Sequence, residues 1–218
     1  EDAAGALSNG AGTKLIVSRN TAGLIRRGLL RFDLSSIPST ATVQSASLTL
    51  YNAQGGTNAF NIVLHRASAS WGEGTSVATG TEDAGAPATT GDATWTQRFH
   101  PATPWTVPGG DFAATATMAV SVANEGFYEF ASAALVADVQ GWIASPSLNH
   151  GWVVRGRENP GGNALKRFES RESTDPARRP RLVVTYVANI TPNGACCLPN
   201  SQCDTLTAGE CAAAGGTY

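Results

Sequence analysis

Cysteine is missing from the first 195 residues of this 218-residue chain and then occurs four times, as Cys196, Cys197, Cys203 and Cys211. Most of the chain must therefore hold its shape through an apolar core, while the crowded tail reads as disulfides and an oxidising compartment. Charge is scarce too. Asp, Glu, Lys and Arg make up 15% of the residues and the net charge is −2, so there is no basic stripe for nucleic acid or another polyanion. No run of about 18 apolar residues offers a membrane-spanning helix, and no lipidation motif occurs. The chain begins at Glu1, so its start is silent on a signal peptide.

Catalytic signatures are also lacking. His65, His100 and His150 are isolated, with no His or Glu at the i+4 spacing of a zinc helix, and there is no Gly-x-Ser-x-Gly elbow. Glu73 with Asp111, or Glu169 with Glu172, are the carboxylate pairs available to a glycosidase. Arg167 and Arg171 lie beside the second pair, and strand-surface ion pairing accounts for it. No enzyme and no cofactor is expected.

What the chain has in quantity is small residues, 24 Gly among much Ala, Ser and Thr, giving the polar but weakly charged surface typical of extracellular β-proteins. From Arg26 to Leu34 the apolar residues alternate. Leu30, Phe32 and Leu34 fall on one side and Leu29, Arg31 and Asp33 on the other, the period of a strand with one face in a core. Ser35-Ser36-Ile37-Pro38 breaks this strand, and alternation resumes with Ala46, Leu48 and Leu50 against Ser47, Thr49 and Tyr51. After a loop containing Gly55-Gly56, Phe60, Ile62 and Leu64 form a third run, and an antiparallel sheet opens.

The phrase from Arg27 to Pro38, followed by that from Ala41 to Tyr51, resembles the DNRLRE domain, a family of secreted bacterial modules related to disaggregatase and carbohydrate-binding modules. Leu64-His65-Arg66, Trp71-Gly72-Glu73-Gly74, Pro108 to Phe112, Asp138 to Trp142, Phe168 to Glu172 and Arg179 to Leu182 recur in the family's order. The resemblance spans Glu1 to Val187 and is specific as a set. It implies a jelly-roll-like β-sandwich without catalytic machinery, some relatives being regarded as carbohydrate-binding, and transfers no ligand residues. It also implies an extended segment before the first phrase, which this chain is expected to lack.

In chain order, residues 1–13 read as loop and Lys14 to Arg19 as a short strand with Leu15 and Val17 on one face. Trp71 to Ala93 is a long loop carrying Glu73, Glu82, Asp83 and Asp92. Structural calcium would need about six to eight converging oxygens, and the spacing matches no EF-hand or nonapeptide pattern, so these are expected to be solvated acids. Trp95, Phe99 and Trp105 follow among prolines. Exposed, the rings could stack on sugars; the area they contribute favours a lid on the core. Asp111 to Val122 and Phe127 to Phe130 are expected strands. Ser132 caps a helix carrying Leu135, Val136, Val139, Trp142 and Ile143, ended by Ser145-Pro146. Trp152 and Val154, Leu165 to Glu172, and Leu182 to Tyr186 close the sheets, with turns at Asn159 to Gly162 and Asp175-Pro176.

Arg155, Arg157, Lys166, Arg167 and Arg171 come from two strands expected to be adjacent, and could meet an acidic polysaccharide or form a solvated surface balanced by Glu158, Glu169 and Glu172. Asn189-Ile190-Thr191 is a glycosylation sequon of a kind common by chance. In the tail, adjacent Cys196 and Cys197 bridge to Cys203 and Cys211 in either order, and Thr207 to Glu210 has the form of a capping box. This tail resembles a small cysteine-rich unit appended to secreted bacterial proteins.

The expected architecture is an all-β, antiparallel jelly-roll-like sandwich over residues 1–188 with one short covering helix, and a disulfide-stapled unit over 189–218. Two functions compete. One is a non-catalytic extracellular structural or adhesive module, a subunit of a surface or matrix assembly such as a homopolymeric filament, its ends and the edge beside Lys14 to Arg19 completing a neighbour's sheet. The alternative is a carbohydrate-binding module using Trp95 and Trp105, or Arg155, Arg157 and Lys166.

Overall fold

In the computed structural model, which describes residues 5–54, 58–161, 163–188 and 193–217, the alternating segments pair into two antiparallel sheets. Gly55-Gly56, Gly162 and the sequon at Asn189 to Thr191 lie outside the described residues. In chain order the first strands are β1 (Leu7–Ser8), β2 (Lys14–Arg19), β3 (Ile25–Arg26), β4 (Gly28–Leu30), β5 (Thr42–Asn52) and β6 (Phe60–Arg66). Next come β7 (Ala86–Pro87), β8 (Gln97–Phe99), β9 (Thr103–Pro104), β10 (Met118–Val122), β11 (Gly126–Ala131) and helix α1 (Ala133–Ala144). The chain continues through β12 (Trp152–Arg155), β13 (Lys166–Glu169), β14 (Arg181–Val187), β15 (Asn193–Cys197), β16 (Cys203–Thr207) and helix α2 (Ala208–Ala213).

One sheet has four strands in the order β10-β6-β12-β4; the other has six, β11-β5-β13-β2-β3 with β14 also on β5. Ser47 to Thr49 of β5 pair with β11 on one side and β14 on the other, so β5 lies inside its sheet. Its inward Leu48 and Leu50 are fully buried, each contributing roughly 2 kcal/mol of transfer free energy. Phe168 joins them, and Ile62, Leu64 and Trp152 of the other sheet meet them in one cluster. This is the jelly-roll-like sandwich expected from the alternation.

Helix α1 closes the core. The Ser132 hydroxyl accepts from the Leu135 amide at 3.0 Å, and Leu135, Val139, Trp142 and Ile143 are buried. Trp142 meets Trp152 edge-on at 4.6 Å, while Asp138 accepts from the Trp152 indole at 2.9 Å and the Thr117 hydroxyl at 2.7 Å. In the tail, β15 and β16 form a hairpin carrying α2, bridged by Cys196–Cys211 and Cys197–Cys203. Thr207 and Glu210 make the reciprocal capping box.

Several expected boundaries change. Arg26 to Leu34 is not one strand: β3 pairs with β2 and β4 pairs with β12, so the chain changes sheets at Arg27. At this corner Gly28 lies against Leu15, whose side chain would be 2.6 Å from any added Cβ. Beyond Leu30 the Asn149 side chain donates to the Phe32 carbonyl, although Phe32 and Leu34 still pack on the core. The strand expected from Asp111 shrinks to Met118–Val122, because the Asp111 carboxylate turns back to accept from Thr106 and Val107, both at 3.0 Å. The closing strand from Leu165 is only Lys166–Glu169.

Residues 1–13 are not loop throughout, since Leu7–Ser8 pairs with Ala86–Pro87. Nor is the edge beside Lys14 to Arg19 open along its length. Ser18 and Arg19 pair with β3, and the Thr13 and Lys14 amides donate to Glu82 at 3.2 and 3.0 Å. The motive for a neighbour's strand at that edge is thereby weakened.

Candidate functional site

The loop from Trp71 to Ala93 folds back over the corner made by β2, β3 and β4, and its acids Glu82, Asp83 and Asp92 are structural rather than solvated. Glu82 is 8% exposed and accepts from Asn9 at 2.7 Å and the Thr13 hydroxyl at 2.5 Å, besides the two amides above. Burial would raise its pKa, but these donors outweigh it and hold the carboxyl below its usual range. Asp92, fully buried, accepts from the Thr75 and Thr89 amides at 2.9 and 2.8 Å. Asp83 pairs with Arg167, and Glu73 with Arg171 at 2.8 Å. Each acid thus serves a different partner, and among the described residues no group of three or more His, Cys, Asp or Glu could hold a metal ion.

Between this loop and the corner runs a cleft of about 600 Å³ walled by Trp71, Trp95 and Trp105. Trp71 is 8% exposed; its indole donates to the His150 carbonyl at 2.7 Å and the Arg31 guanidinium lies 5.4 Å over its ring. Trp105, 5% exposed, donates to the Thr94 carbonyl at 2.9 Å. These two rings are fixed walls with their polar atoms satisfied. Trp95 is half-buried, its ring lying 4.7 Å from the Arg27 guanidinium.

The cleft is charged at its rim. Arg31 is exposed and has no carboxylate partner among the described residues. Arg171 donates to Glu172 at 2.6 Å as well as to Glu73. Burial pushes the Glu73 carboxyl up, opposed by the Arg171 charge and assisted by that of Glu172. Burial, then the Arg31 and Arg98 charges, holds the His150 imidazole below its usual value. Planar apolar walls, a guanidinium with free donors and carboxylates at the mouth suit a ligand with an apolar face and many hydroxyls.

Of the candidates named from the sequence, Trp95 lines this cleft with its ring half-exposed, and Trp105 lines it as a buried wall. The cationic group does not form one surface. Arg155 is on β12 and Arg157 just beyond it, whereas Lys166 and Arg167 are on β13 in the other sheet. Arg155 pairs with Glu158 at 2.6 Å, and Arg157 donates to the Pro160 carbonyl at 3.2 Å. Lys166 is 4% exposed and donates to the Asn58 and Ala123 carbonyls at 3.1 and 2.7 Å. Burial lowers its pKa. Arg157 and Lys166 do share one ring, Phe60, at 5.2 and 5.7 Å. Glu169 pairs with Lys14 rather than Arg167. Sequence reasoning missed Trp71, Arg27 and Arg31 as cleft residues; Arg31 reads as the solvent side of a strand, and only Trp71-Gly72-Glu73-Gly74 in a long loop offered a signal.

Residues 2–107 match the model of carbohydrate-binding module family 96. The match covers just under half of the 218 residues and supports a carbohydrate-binding-module-like domain, not the DNRLRE family that the sequence phrases resemble. It encloses Trp71, Trp95 and Trp105 together with Arg27 and Arg31. No curated protein matches the chain significantly.

Proposed function

We propose that this protein is a non-catalytic carbohydrate-binding module that holds a polysaccharide in the tryptophan-walled cleft. The observation that carries this reading is the coincidence of the match over residues 2–107 with the segment that supplies all three tryptophans. Trp95 is the ring left exposed enough to stack on a sugar, and Arg31 the cation free to donate to hydroxyl or carboxylate oxygens. An extracellular setting accords with the match and with the two disulfides. The assembly reading has no comparable support, since the edge that motivated it is partly paired within the chain.

Affinity electrophoresis through gels holding laminarin, xylan or pectin tests the reading. Retardation by at least one polymer is expected. Trp95→Ala should weaken it about ten-fold, the roughly 1.4 kcal/mol of a stacked ring, with Arg157→Ala unchanged. Equal migration of wild type and Trp95→Ala in every gel would count against the cleft.

A further inference from the structure

We infer that Glu158, beyond the matched stretch, is a positioning residue for the half-buried ring of the cleft, acting on Trp95 through Arg27. The inference rests on the carbohydrate reading only for its consequence in binding. Glu158 follows β12 and accepts two bidentate forks. Arg27 donates at 2.7 and 2.8 Å, and Arg155 at 3.1 and 2.6 Å. On its other edge the Arg27 Nη1 donates to the Gly109 carbonyl at 2.9 Å, and its flat face covers Trp95 at 4.7 Å.

The indole has little else to fix it. Its N–H has no hydrogen-bond partner among the described residues, unlike those of Trp71 and Trp105. Gly109, at φ +93°, completes the seat: an added Cβ would be 2.4 Å from an Arg27 nitrogen and 2.9 Å from the Trp95 ring. The two forks share one ring and differ at the other. Both guanidinium groups lie over Phe112, Arg27 at 5.3 Å and Arg155 at 5.1 Å, but among the described residues only Arg27 also lies over Trp95. A planar guanidinium held on two edges is pre-organised as a stacking plate; without the carboxylate, Arg27 and Arg155 face each other as uncompensated cations and the plate moves.

The test reads the tryptophan indole resonances of the ligand-free, ¹⁵N-labelled full chain, with that of Trp95 assigned by Trp95→Phe. Glu158→Gln should move the Trp95 resonance toward that of a free indole. Arg27→Lys, which keeps the charge but not the plate, should move it likewise, and serves if the first variant does not fold. Arg155→Met should leave it in place. A Trp95 resonance unmoved by Glu158→Gln or, where that variant does not fold, by Arg27→Lys, or moved as far by Arg155→Met as by either, would overturn the inference. Because no ligand is present, the outcome is independent of whether any polysaccharide binds. Where one does, Glu158→Gln should weaken retardation several-fold in the same gels.

Discussion

At the scale of single residues, the burial of charge decides more than its number. Glu158 is held at a pKa of about 2 against 4.5 when unperturbed: burial would raise it, but the Arg27 and Arg155 donors and their charges prevail. A depressed carboxyl stabilises the fold fully above the unperturbed value and loses that contribution as pH falls toward the folded one. Glu158→Gln should therefore lower stability by about 2–4 kcal/mol near neutral pH, and the difference from wild type should shrink at about pH 3. Urea denaturation at the two pH values measures this. Glu82 behaves alike: Glu82→Ala strands the Thr13 and Lys14 amides and removes one partner of the Asn9 side chain, and should cost about 2 kcal/mol or more by the same measurement.

At the scale of elements, period and capping were legible where neighbours agree with them. β5 shows its buried face as Ala46, Leu48 and Leu50, and α1 begins after Ser132 as the cap pattern predicts. Ser132→Ala should lower stability by about 1 kcal/mol, and Leu135→Ala, deep in the helix face, by about 2–5 kcal/mol, both read as shifts of the thermal midpoint. The Arg26 to Leu34 segment shows the opposite. Its alternation is real and its apolar residues reach the core, yet it is split between two sheets because partners remote in sequence claim each half. Period says which face is buried; pairing says which sheet.

At the scale of the molecule, the tail and the sandwich rest on different physics. The hairpin β15–β16 and α2 are cross-linked by bridges of sequence separation 15 and 6, and few apolar residues there are buried besides Cys196 and Cys211. We propose that residues 189–218 form a unit separate from 1–188. Reduction should then release amide protection in β15, β16 and α2 while leaving that of β5 and β6 unchanged, as hydrogen exchange would show. Loss of protection in both regions together would mean one cooperative unit.

The sequence by itself determined the all-β sandwich, its covering helix and the disulfide staple, because side-chain period, capping and cysteine crowding are local properties that persist whatever the chain packs against. It could not decide the cleft. Trp71, Trp95, Trp105, Arg27 and Arg31 are brought together by a loop folding over a corner, and whether each ring is wall or stacking surface depends on what covers it. Nor could it decide which cations are free. Arg155 and Arg167 read alike in sequence, but Arg155 is committed to Glu158 and Arg167 to Asp83, while Arg31 has no carboxylate partner among the described residues. Ion pairing is settled by distances of a few ångströms between residues far apart in the chain, and only the tertiary structure sets those.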